Sequence, residues 1–363
     1  MCQCKLHLMG VLMSCLLPFS GWVTIGDSDT VPAWTTTESL NHARDAHTGT
    51  LLSDGRVLVV GGYDGEVVGS VEVYDTKAGV WAYTKPLLTA RSHHTATLLQ
   101  DGRVLVAGGY GTVDHNLASV EIFDPTTGTW TYTASLDVGT YEHTATLLRD
   151  GRVLVAGGNS ADGYVADARI FDPEKETWTA TVSMAHARGF HCAVLLENGS
   201  VLVAGGQDDG STVAGAELYD PKSGRWIPAG SLAEGRYYFS ATLLGNGTVL
   251  AAGGKQGEDY LDSAELFDPA TGVWSVTGAL RDTRGLHCAS RLKDGTVIVV
   301  SGEYSRGYRA EAEIYDPAAG TWSVTGPLHG VRSVFSANLL HDGRLLVAGG
   351  YDGMDVIAGV ELF

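Results

Sequence analysis

The chain contains one sixteen-residue stretch twice, as HTATLLQDGRVLVAGG at residues 94–109 and, with one letter changed, as HTATLLRDGRVLVAGG at residues 143–158. The Gly-Gly pair that ends each copy returns in steps of 47 to 49 residues, at Gly61-Gly62, Gly108-Gly109, Gly157-Gly158, Gly205-Gly206, Gly253-Gly254, Ser301-Gly302 and Gly349-Gly350. Tryptophan keeps the same period, at Trp34, Trp81, Trp130, Trp178, Trp226, Trp274 and Trp322. Two independent markers therefore predict seven repeats.

Each repeat is expected to form four short strands. In the second unit these are HTATLL, RVLVAGG, SVEIFD and TWTYTASL. The Asp-Gly or Asn-Gly pair between the first two strands predicts a two-residue type I′ hairpin, and DPTTG predicts a turn between the last two. VLVAGG is apolar on both alternations, so both faces of that strand must be covered. The sequence predicts an all-β fold, a seven-bladed β-propeller of four-stranded antiparallel blades.

The two ends of the chain complement one another. AWTTTESL at residues 33–40 reads as a fourth strand with no unit before it, whereas the last unit ends with VELF at Phe363 and lacks its fourth strand. We expect the first segment to complete the last blade and so leave no open sheet edge. The alternative interpretation is a fragment of a longer chain.

The first residues predict export. Residues 1–21 combine one lysine, an apolar run and small residues, which is typical of a secretory signal and too short to span a bilayer. Residues 22–32 then form a linker, and residues 33–363 the propeller domain. We expect a secreted, cell-surface or periplasmic protein, with a lipid anchor at Cys15 as a minor alternative. The net charge of −18 argues against nucleic acid as a partner.

Two repeated positions predict a buried ion pair. Six units carry an arginine three residues before the histidine position, and the same six carry a glutamate in the third strand. The third unit has Thr140 and Arg169 instead. Because both changes fall in one unit, we expect the arginine and glutamate of a repeat, such as Arg44 and Glu72, to interact.

The repeated histidines and tryptophans are interpreted as structural. His47, His94, His143, His191 and His287 share a position that Phe239 and Phe335 fill in the other two units. A position that accepts phenylalanine is mainly steric, so we expect core or hydrogen-bonded histidines rather than a metal ring. The tryptophans are expected to pack between blades.

The period, the Gly-Gly pair, the aromatic-Asp pair and the tryptophan together resemble the kelch repeat, and seven copies resemble a kelch β-propeller of the galactose oxidase and kelch-like superfamily. The near-verbatim copies are most similar to bacterial kelch-repeat proteins. Galactose oxidase and its relatives use such a ring for copper-radical chemistry, with two tyrosines, two histidines and a cysteine. Cys192 and Cys288 each follow the histidine position, so no ligand carries over residue by residue, and His93, His115, His186 and His329 are spread over several units.

The variable segments predict a binding face. In an antiparallel meander the uniform turns share one face, while the segments after Gly-Gly and before each first strand share the other, and these differ most between units. An aromatic arc opposite polar groups suits a protein or carbohydrate ligand. The candidate ligand-binding residues are Tyr63, Tyr110, Tyr351, Tyr141, Tyr237, Tyr238, Asn159, Gln207, Lys255 and Glu303.

We expect Tyr351, Tyr63 and Tyr110 to form the arc, and Lys255 and Glu303 to lie close enough to pair. No catalytic residue, metal ligand or cofactor is predicted, and the sequence shows no serine-nucleophile, phosphate-loop or calcium-loop motif. A binding scaffold is the favoured function. A carbohydrate-active or copper-radical oxidase-like enzyme on the same fold is the alternative.

Overall fold

The computed structural model describes residues 33–363. The predicted signal peptide, the linker and the lipid-anchor alternative at Cys15 lie outside the described residues. Within residues 33–363, no helix has the length and hydropathy needed to cross a bilayer.

Seven four-stranded antiparallel sheets confirm the predicted blades. The first strands are Thr48–Leu51, Thr95–Leu98, Thr144–Leu147, Cys192–Leu195, Ser240–Leu243, Cys288–Arg291 and Ser336–Leu339. The second strands are Val57–Val60, Val104–Ala107, Val153–Ala156, Val201–Ala204, Val249–Ala252, Val297–Val300 and Leu345–Ala348. The third strands are Val71–Asp75, Val120–Asp124, Ala168–Asp172, Gly215–Asp220, Ala264–Asp268, Ala312–Asp316 and Val360–Leu362. The fourth strands are Val80–Tyr83, Thr129–Tyr132, Thr177–Ala180, Arg225–Ser231, Val273–Val276, Thr321–Val324 and Thr35–Thr36.

The turn between the first two strands differs from the prediction. In blade one the Leu52 N–H donates to the Arg56 carbonyl and the Gly55 N–H to the Leu52 carbonyl, which leaves a loop of three residues. Gly55 alone in this loop has a left-handed backbone, with φ of 91°. The Asp-Gly pair therefore forms a type I turn closed by a left-handed glycine, and the predicted two-residue type I′ turn is wrong.

The apolar core is divided among the interfaces between blades. Each of seven clusters joins the second strand of one blade to that of the next, and one of them packs Val57 and Val59 of blade one against Leu346 and Ala348 of blade seven. The second strands are fully buried, as their apolar sequence predicts. Each of the seven repeated tryptophans packs against an aromatic residue in the third strand or, for Trp34, directly after it, with ring centroids 4.9 to 5.1 Å apart.

Blade seven is completed by the segment that begins at residue 33. Thr35 and Thr36 pair antiparallel with Leu362 and Glu361. Trp34 is 4% exposed and packs on Phe363 at a centroid distance of 5.1 Å, as the tryptophan of every other blade packs on its own aromatic partner. The predicted pairing of residues 33–40 with the last strand is confirmed.

In six of the seven blades, a buried arginine binds the chain segment that enters the blade. We call its set of hydrogen bonds the clamp. The Arg44 guanidinium donates to a Glu72 carboxylate oxygen at 2.9 Å and to the carbonyls of Gly61 and Ser70 at 2.8 Å. The other Glu72 oxygen accepts the Asn41 N–H at 2.7 Å. The predicted pairs therefore form, at 2.5 to 2.9 Å in all six blades, and they tie the incoming segment to the Gly-Gly corner.

Blade three lacks this clamp. The Thr140 hydroxyl donates to the Gly157 carbonyl at 3.4 Å, and Arg169 turns toward Asp137 and Asp167 near the surface. A cavity of about 20 Å³ lined by Thr140, Gly157 and Arg169 remains where the other blades hold the guanidinium. The exception seen in the sequence thus leaves an empty space at the place where an arginine lies in the other six blades. We call this space the arginine socket.

The repeated histidines link neighbouring first strands. His191 Nε2 lies 2.9 Å from the Thr144 hydroxyl of the preceding blade, and the other four histidines contact a serine or threonine in the same way at 2.9 to 3.0 Å. Where the position is Phe239 or Phe335, the partner in the preceding blade is Cys192 or Cys288, whose thiol donates to the phenylalanine carbonyl. A histidine at this position therefore goes with a hydroxyl group in the preceding blade, and a phenylalanine goes with a thiol group there.

We expect the completing strand to be essential for stability. A chain that begins at residue 41 should melt well below one that begins at residue 33, because it loses the fourth strand of blade seven and a buried tryptophan whose truncation alone costs about 3–5 kcal/mol. Thermal unfolding by circular dichroism measures the difference. Equal melting temperatures would show that the strand is dispensable.

Filling the arginine socket of blade three should stabilise that blade. Thr140→Arg alone places a second guanidinium near Arg169, and Arg169→Glu alone leaves a carboxylate without its partner. The double variant forms the pair found in six blades, so a double-mutant cycle from urea unfolding should show favourable coupling of more than about 1 kcal/mol. Additive effects of the two substitutions would contradict this account.

The buried histidines should make the fold acid-sensitive. Burial lowers the pKa of His47, His191 and His287 to about 3 and that of His143 to about 4. Below the ordinary value of about 6.5 the unfolded chain therefore binds protons that the folded chain excludes. The contribution of these histidines to stability is fully present above about pH 6.5 and is lost progressively as the pH falls toward 3.

Replacing one histidine pair by a cysteine–phenylalanine pair isolates this effect. Thr144→Cys with His191→Phe copies the arrangement around Cys192 and Phe239. Between pH 6 and 4, the folding equilibrium constant of the parent chain should fall by about a factor of ten more per pH unit than that of the double variant. Urea midpoints measured across this range test it, and parallel pH profiles would rule it out.

Candidate functional site

Seven residues with a left-handed backbone surround the propeller axis. Each directly precedes the histidine or phenylalanine position and has φ between 47° and 55°. None is glycine, although this conformation costs other residues about 1–2 kcal/mol. We call this set the axial ring: Ala46, His93, Glu142, Phe190, Tyr238, Leu286 and Val334.

Backbone hydrogen bonds between consecutive blades hold the axial ring together. The His93 N–H donates to the Ala46 carbonyl at 3.0 Å, and the Ala46 N–H donates to the Val334 carbonyl at 3.0 Å, which joins blade one to blade seven. The Leu286 N–H donates to the Tyr238 carbonyl at 3.0 Å. Neighbouring side chains are consequently brought together, as in the edge-to-face pair of Phe190 and Tyr238 with centroids 4.6 Å apart.

The residues that follow Gly-Gly lie directly outside the axial ring. Each forms an antiparallel bridge with the residue that precedes an axial residue, as Lys255 does with Tyr237 and Tyr351 with Ser333. One such residue stands in every blade, so these positions form a second circle on the same face. We call it the outer ring: Tyr63, Tyr110, Asn159, Gln207, Lys255, Glu303 and Tyr351.

Short hairpins carry contacts from one blade to the outer ring of the next. Blades three, five and six contain them, as Asn159–Ser160 with Gly163–Tyr164, Lys255–Gln256 with Asp259–Tyr260, and Glu303–Tyr304 with Gly307–Tyr308. The last residue of each hairpin is a tyrosine. The Tyr164 hydroxyl donates to Gln207 Oε1 at 3.4 Å, the Tyr260 hydroxyl donates to Glu303 Oε2 at 2.9 Å, and Tyr308 packs edge-on against Tyr351 at 5.8 Å.

Lys255 and Glu303 do not pair as expected. The ammonium of Lys255 lies over the Tyr260 ring, 4.8 Å from its centroid, and the hydroxyl of that tyrosine occupies one oxygen of Glu303. The Ser333 hydroxyl donates to the other oxygen at 2.9 Å. Tyr260 therefore stands between the two charges, and the predicted ion pair is wrong.

The expected arc of three tyrosines is divided. Tyr63 and Tyr351 line one open cavity of about 480 Å³ with Asp45 and Asp64. Tyr110 turns to the other side and stacks on the His115 ring at 5.0 Å. The arc thus forms one site between blades seven and one, and Tyr110 belongs to a separate cluster.

The remaining candidates lie beside the axial ring. Tyr110 contacts Tyr141 edge-on at 5.8 Å, and the Asn159 side-chain amide donates to the Tyr141 hydroxyl at 3.2 Å. Tyr237 contacts Tyr238 at 4.9 Å and donates its hydroxyl to the Gly257 carbonyl at 2.9 Å. The structure places all ten candidates on one face, in several clusters rather than one pocket, and their role in binding stays a prediction.

Two carboxyl groups on this face have raised pKa values. Burial raises the pKa of Glu142 to about 8. Its carboxylate lies 3.4 Å from Nε2 of His93, whose own pKa burial lowers, so both side chains are mainly neutral at pH 7. Burial and then the charge of Asp64 raise the pKa of Asp45 to about 6.

Several side chains considered for a copper-radical centre are engaged in other contacts. Within residues 33–363, no three His, Cys, Asp or Glu side chains are grouped so that they could hold a metal ion. Cys192 and Cys288 are bonded to phenylalanine carbonyls, and burial raises the pKa of both thiols to about 12. His115 stacks on Tyr110, and His329 pairs with the structural Glu361.

The axial ring has no direct sign in the sequence. Left-handed backbone is usually signalled by glycine or asparagine, and none of the seven positions carries either. The available sign was variation, because this position holds a different residue type in every unit whereas its neighbours two and three places away repeat. Glu142, Phe190 and Tyr238 were recognisable as residues of a variable segment, but their meeting at the axis was not.

Comparison with known proteins agrees with this architecture. The model of the KLHDC2/KLHL20/DRC7 kelch-repeats domain matches residues 22–184 and 142–350. No curated protein matches the sequence. A fungal alcohol oxidase of the AA5 family in complex with copper is similar in structure, with a TM-score of 0.75 and 19% identity over 92% of this chain and 76% of the oxidase. The structure of YjhT is similar with a TM-score of 0.62 and 15% identity, over 80% of this chain and 100% of YjhT.

Both solved structures share the fold at low identity, so they carry no statement about chemistry. The family model, in contrast, covers most of the chain in two overlapping matches. Together with the seven four-stranded blades and their repeated clamps, it shows that this chain belongs to the kelch-repeat family of β-propellers.

Proposed function

We propose that this chain is a binding scaffold that docks a macromolecular ligand, a protein in preference to a glycan, on the face that carries the axial and outer rings. The observation that carries the proposal is the set of partly exposed aromatic side chains held on that face by strained or bridged backbone. Rigid tyrosine and phenylalanine anchors bind partners at low entropic cost.

The contrast between the two faces supports this assignment. The opposite face is built from Asp-Gly hairpins and Asp-Pro turns that repeat almost unchanged, and their aspartates cap their own turn N–H groups, as Asp124 does for Thr126. The loop face differs in every blade. Divergence confined to one face of a repeated framework is what a grafted recognition surface requires.

A protein ligand is favoured over a glycan by the way the aromatic side chains lie. Tyr164, Phe190 and Tyr238 form edge-to-face contacts with one another rather than presenting one flat ring platform for a sugar. Side chains of a peptide fit the gaps between such rings. We also propose export of a bacterial protein, on the strength of residues 1–21 and the near-verbatim repeats.

The binding test uses the full chain on peptide and glycan arrays. Tyr238→Ala and Tyr351→Ala should each weaken binding by tenfold or more if these residues are anchors, which corresponds to about 1.4 kcal/mol. The control is Tyr83→Ala, a tyrosine that is 57% exposed on a fourth strand, away from both rings. Its substitution should leave the array signal unchanged.

The same preparation separates the alternatives. Peptide signals lost in both ring variants support a protein ligand, and glycan signals lost in them reassign the ligand. Equal losses in all three variants, or in none, would contradict a site on the loop face. Stoichiometric copper by mass spectrometry with oxidation of an alcohol would replace the scaffold by an enzyme.

A further inference from the structure

Among the residues that the structure describes, Glu142 is a half-buried carboxylate that has no arginine partner, unlike the third-strand glutamates, and accepts no hydroxyl hydrogen bond, unlike Glu303. Six glutamates pair with arginines, and Glu303 accepts two hydroxyl hydrogen bonds. Within residues 33–363, no hydroxyl, amide, ammonium or guanidinium group donates to the Glu142 carboxylate, and its one close titratable neighbour is His93 at 3.4 Å. The Glu142 side chain keeps a fifth of its surface accessible.

Aromatic rings surround this carboxylate. Tyr141 is its chain neighbour and contacts His93 edge-on at 6.4 Å. Phe190 is the next member of the axial ring, and its N–H donates to the Glu142 carbonyl at 3.2 Å. Burial, and then the Glu142 charge, raise the pKa of both the Tyr141 and Tyr238 hydroxyls.

The charge of the loop face favours one class of occupant. The seven segments that follow the Gly-Gly pairs carry fourteen acidic residues and three basic ones, Lys255, Arg306 and Arg309. Two of these cations are already engaged, because Lys255 lies over Tyr260 and Arg309 over Tyr304. A partner that presents basic side chains is therefore attracted to this face and finds at its centre a carboxylate that no lysine or arginine within residues 33–363 neutralises.

We propose that the mouth of the axis binds a lysine or arginine side chain of a partner protein, with Glu142 as its counter-ion and the rings of Tyr141, Phe190 and Tyr238 as its walls. This inference rests on the proposed function, because it names the group that a docked protein would insert. Aromatic faces attract cations, and a partly buried carboxylate beside them strengthens that attraction.

Binding of a cation should release a proton. The groups that face the Glu142 carboxylate are His93, Tyr141, Tyr164 and Tyr238, and none of them is positively charged at pH 7. Burial keeps the carboxyl group mainly protonated at this pH, since its pKa is about 8. An incoming ammonium or guanidinium favours the ionised form, so the proton leaves to the solvent.

The test titrates the full chain with N-acetyl-arginine amide and N-acetyl-lysine amide, and with N-acetyl-norleucine amide as the uncharged match. Calorimetry at pH 7 in two buffers of different ionisation enthalpy measures both affinity and proton release. We expect the two cations to bind with release of a proton and norleucine not to bind. Glu142→Gln should weaken binding about tenfold and abolish the proton release, while Phe190→Leu should weaken binding but keep the release.

Glu258→Gln is the matched control, because this exposed carboxylate lies at a hairpin tip on the same face. It should change neither quantity, and melting curves check that each variant is folded. No binding of either cation up to about 10 mM, or equal binding by Glu142→Gln, would overturn the proposal. Peptide binding on the array that survives Glu142→Gln but fails in Tyr238→Ala would refute the cation site alone and leave the scaffold function standing.

Free butylammonium distinguishes a second source of the cation. The proposal expects basic peptides from the array to lose binding when Glu142 is replaced by glutamine. If butylammonium binds as tightly as the lysine amide and no peptide depends on Glu142, the mouth serves a small ammonium compound, and the assignment to a protein side chain is wrong.

Discussion

The buried arginine found in six of the seven repeats holds the backbone that supports the loop face. Its guanidinium binds the carbonyl of the Gly-Gly corner, the carbonyl before the third strand and a glutamate that also caps the incoming segment. These bonds fix a crossing that would otherwise be an irregular loop with unsatisfied polar groups. The axial residue stands two places after the arginine. Its left-handed backbone is therefore supported by a residue that its own hydrogen bonds hold in place.

Because different positions of a repeat stabilise the fold and form the loop face, the repeats can be near-identical in sequence and still differ at the axial and outer rings. The clamp, the histidine contact and the tryptophan pair satisfy the requirements of the fold inside each blade. The axial and outer positions carry no share of that task, so their side chains are free to vary. Blade three shows the limit, because it lacks the clamp and still keeps the left-handed residue, Glu142, in register with the other six.

Much of the fold was predictable because the repeats supply their own comparison. Seven aligned copies revealed the tryptophan period, and one joint exception at Thr140 and Arg169 was enough to predict the pairing of Arg44 with Glu72. The site was less predictable. Outer-ring positions followed from alignment, but contacts between blades depend on hairpin tyrosines such as Tyr260, which no periodic pattern places between Lys255 and Glu303. The type of turn at Gly55 was not predictable either, because an Asp-Gly pair occurs in both two-residue and three-residue hairpin loops.

The way blade seven is assembled from distant parts of the sequence has a temporal consequence. Trp34 leaves the ribosome long before its aromatic partner, Phe363, has been translated, whereas blades one to six each become available within a single repeat of synthesis. The nascent chain therefore carries an unpartnered tryptophan and an open interface on blade one until Phe363 has been translated. The pairing of Trp34 with Phe363 joins positions far apart in the sequence, and such contacts form slowly. Closure of the ring is thus a late step that reports whether all the preceding blades are correctly stacked.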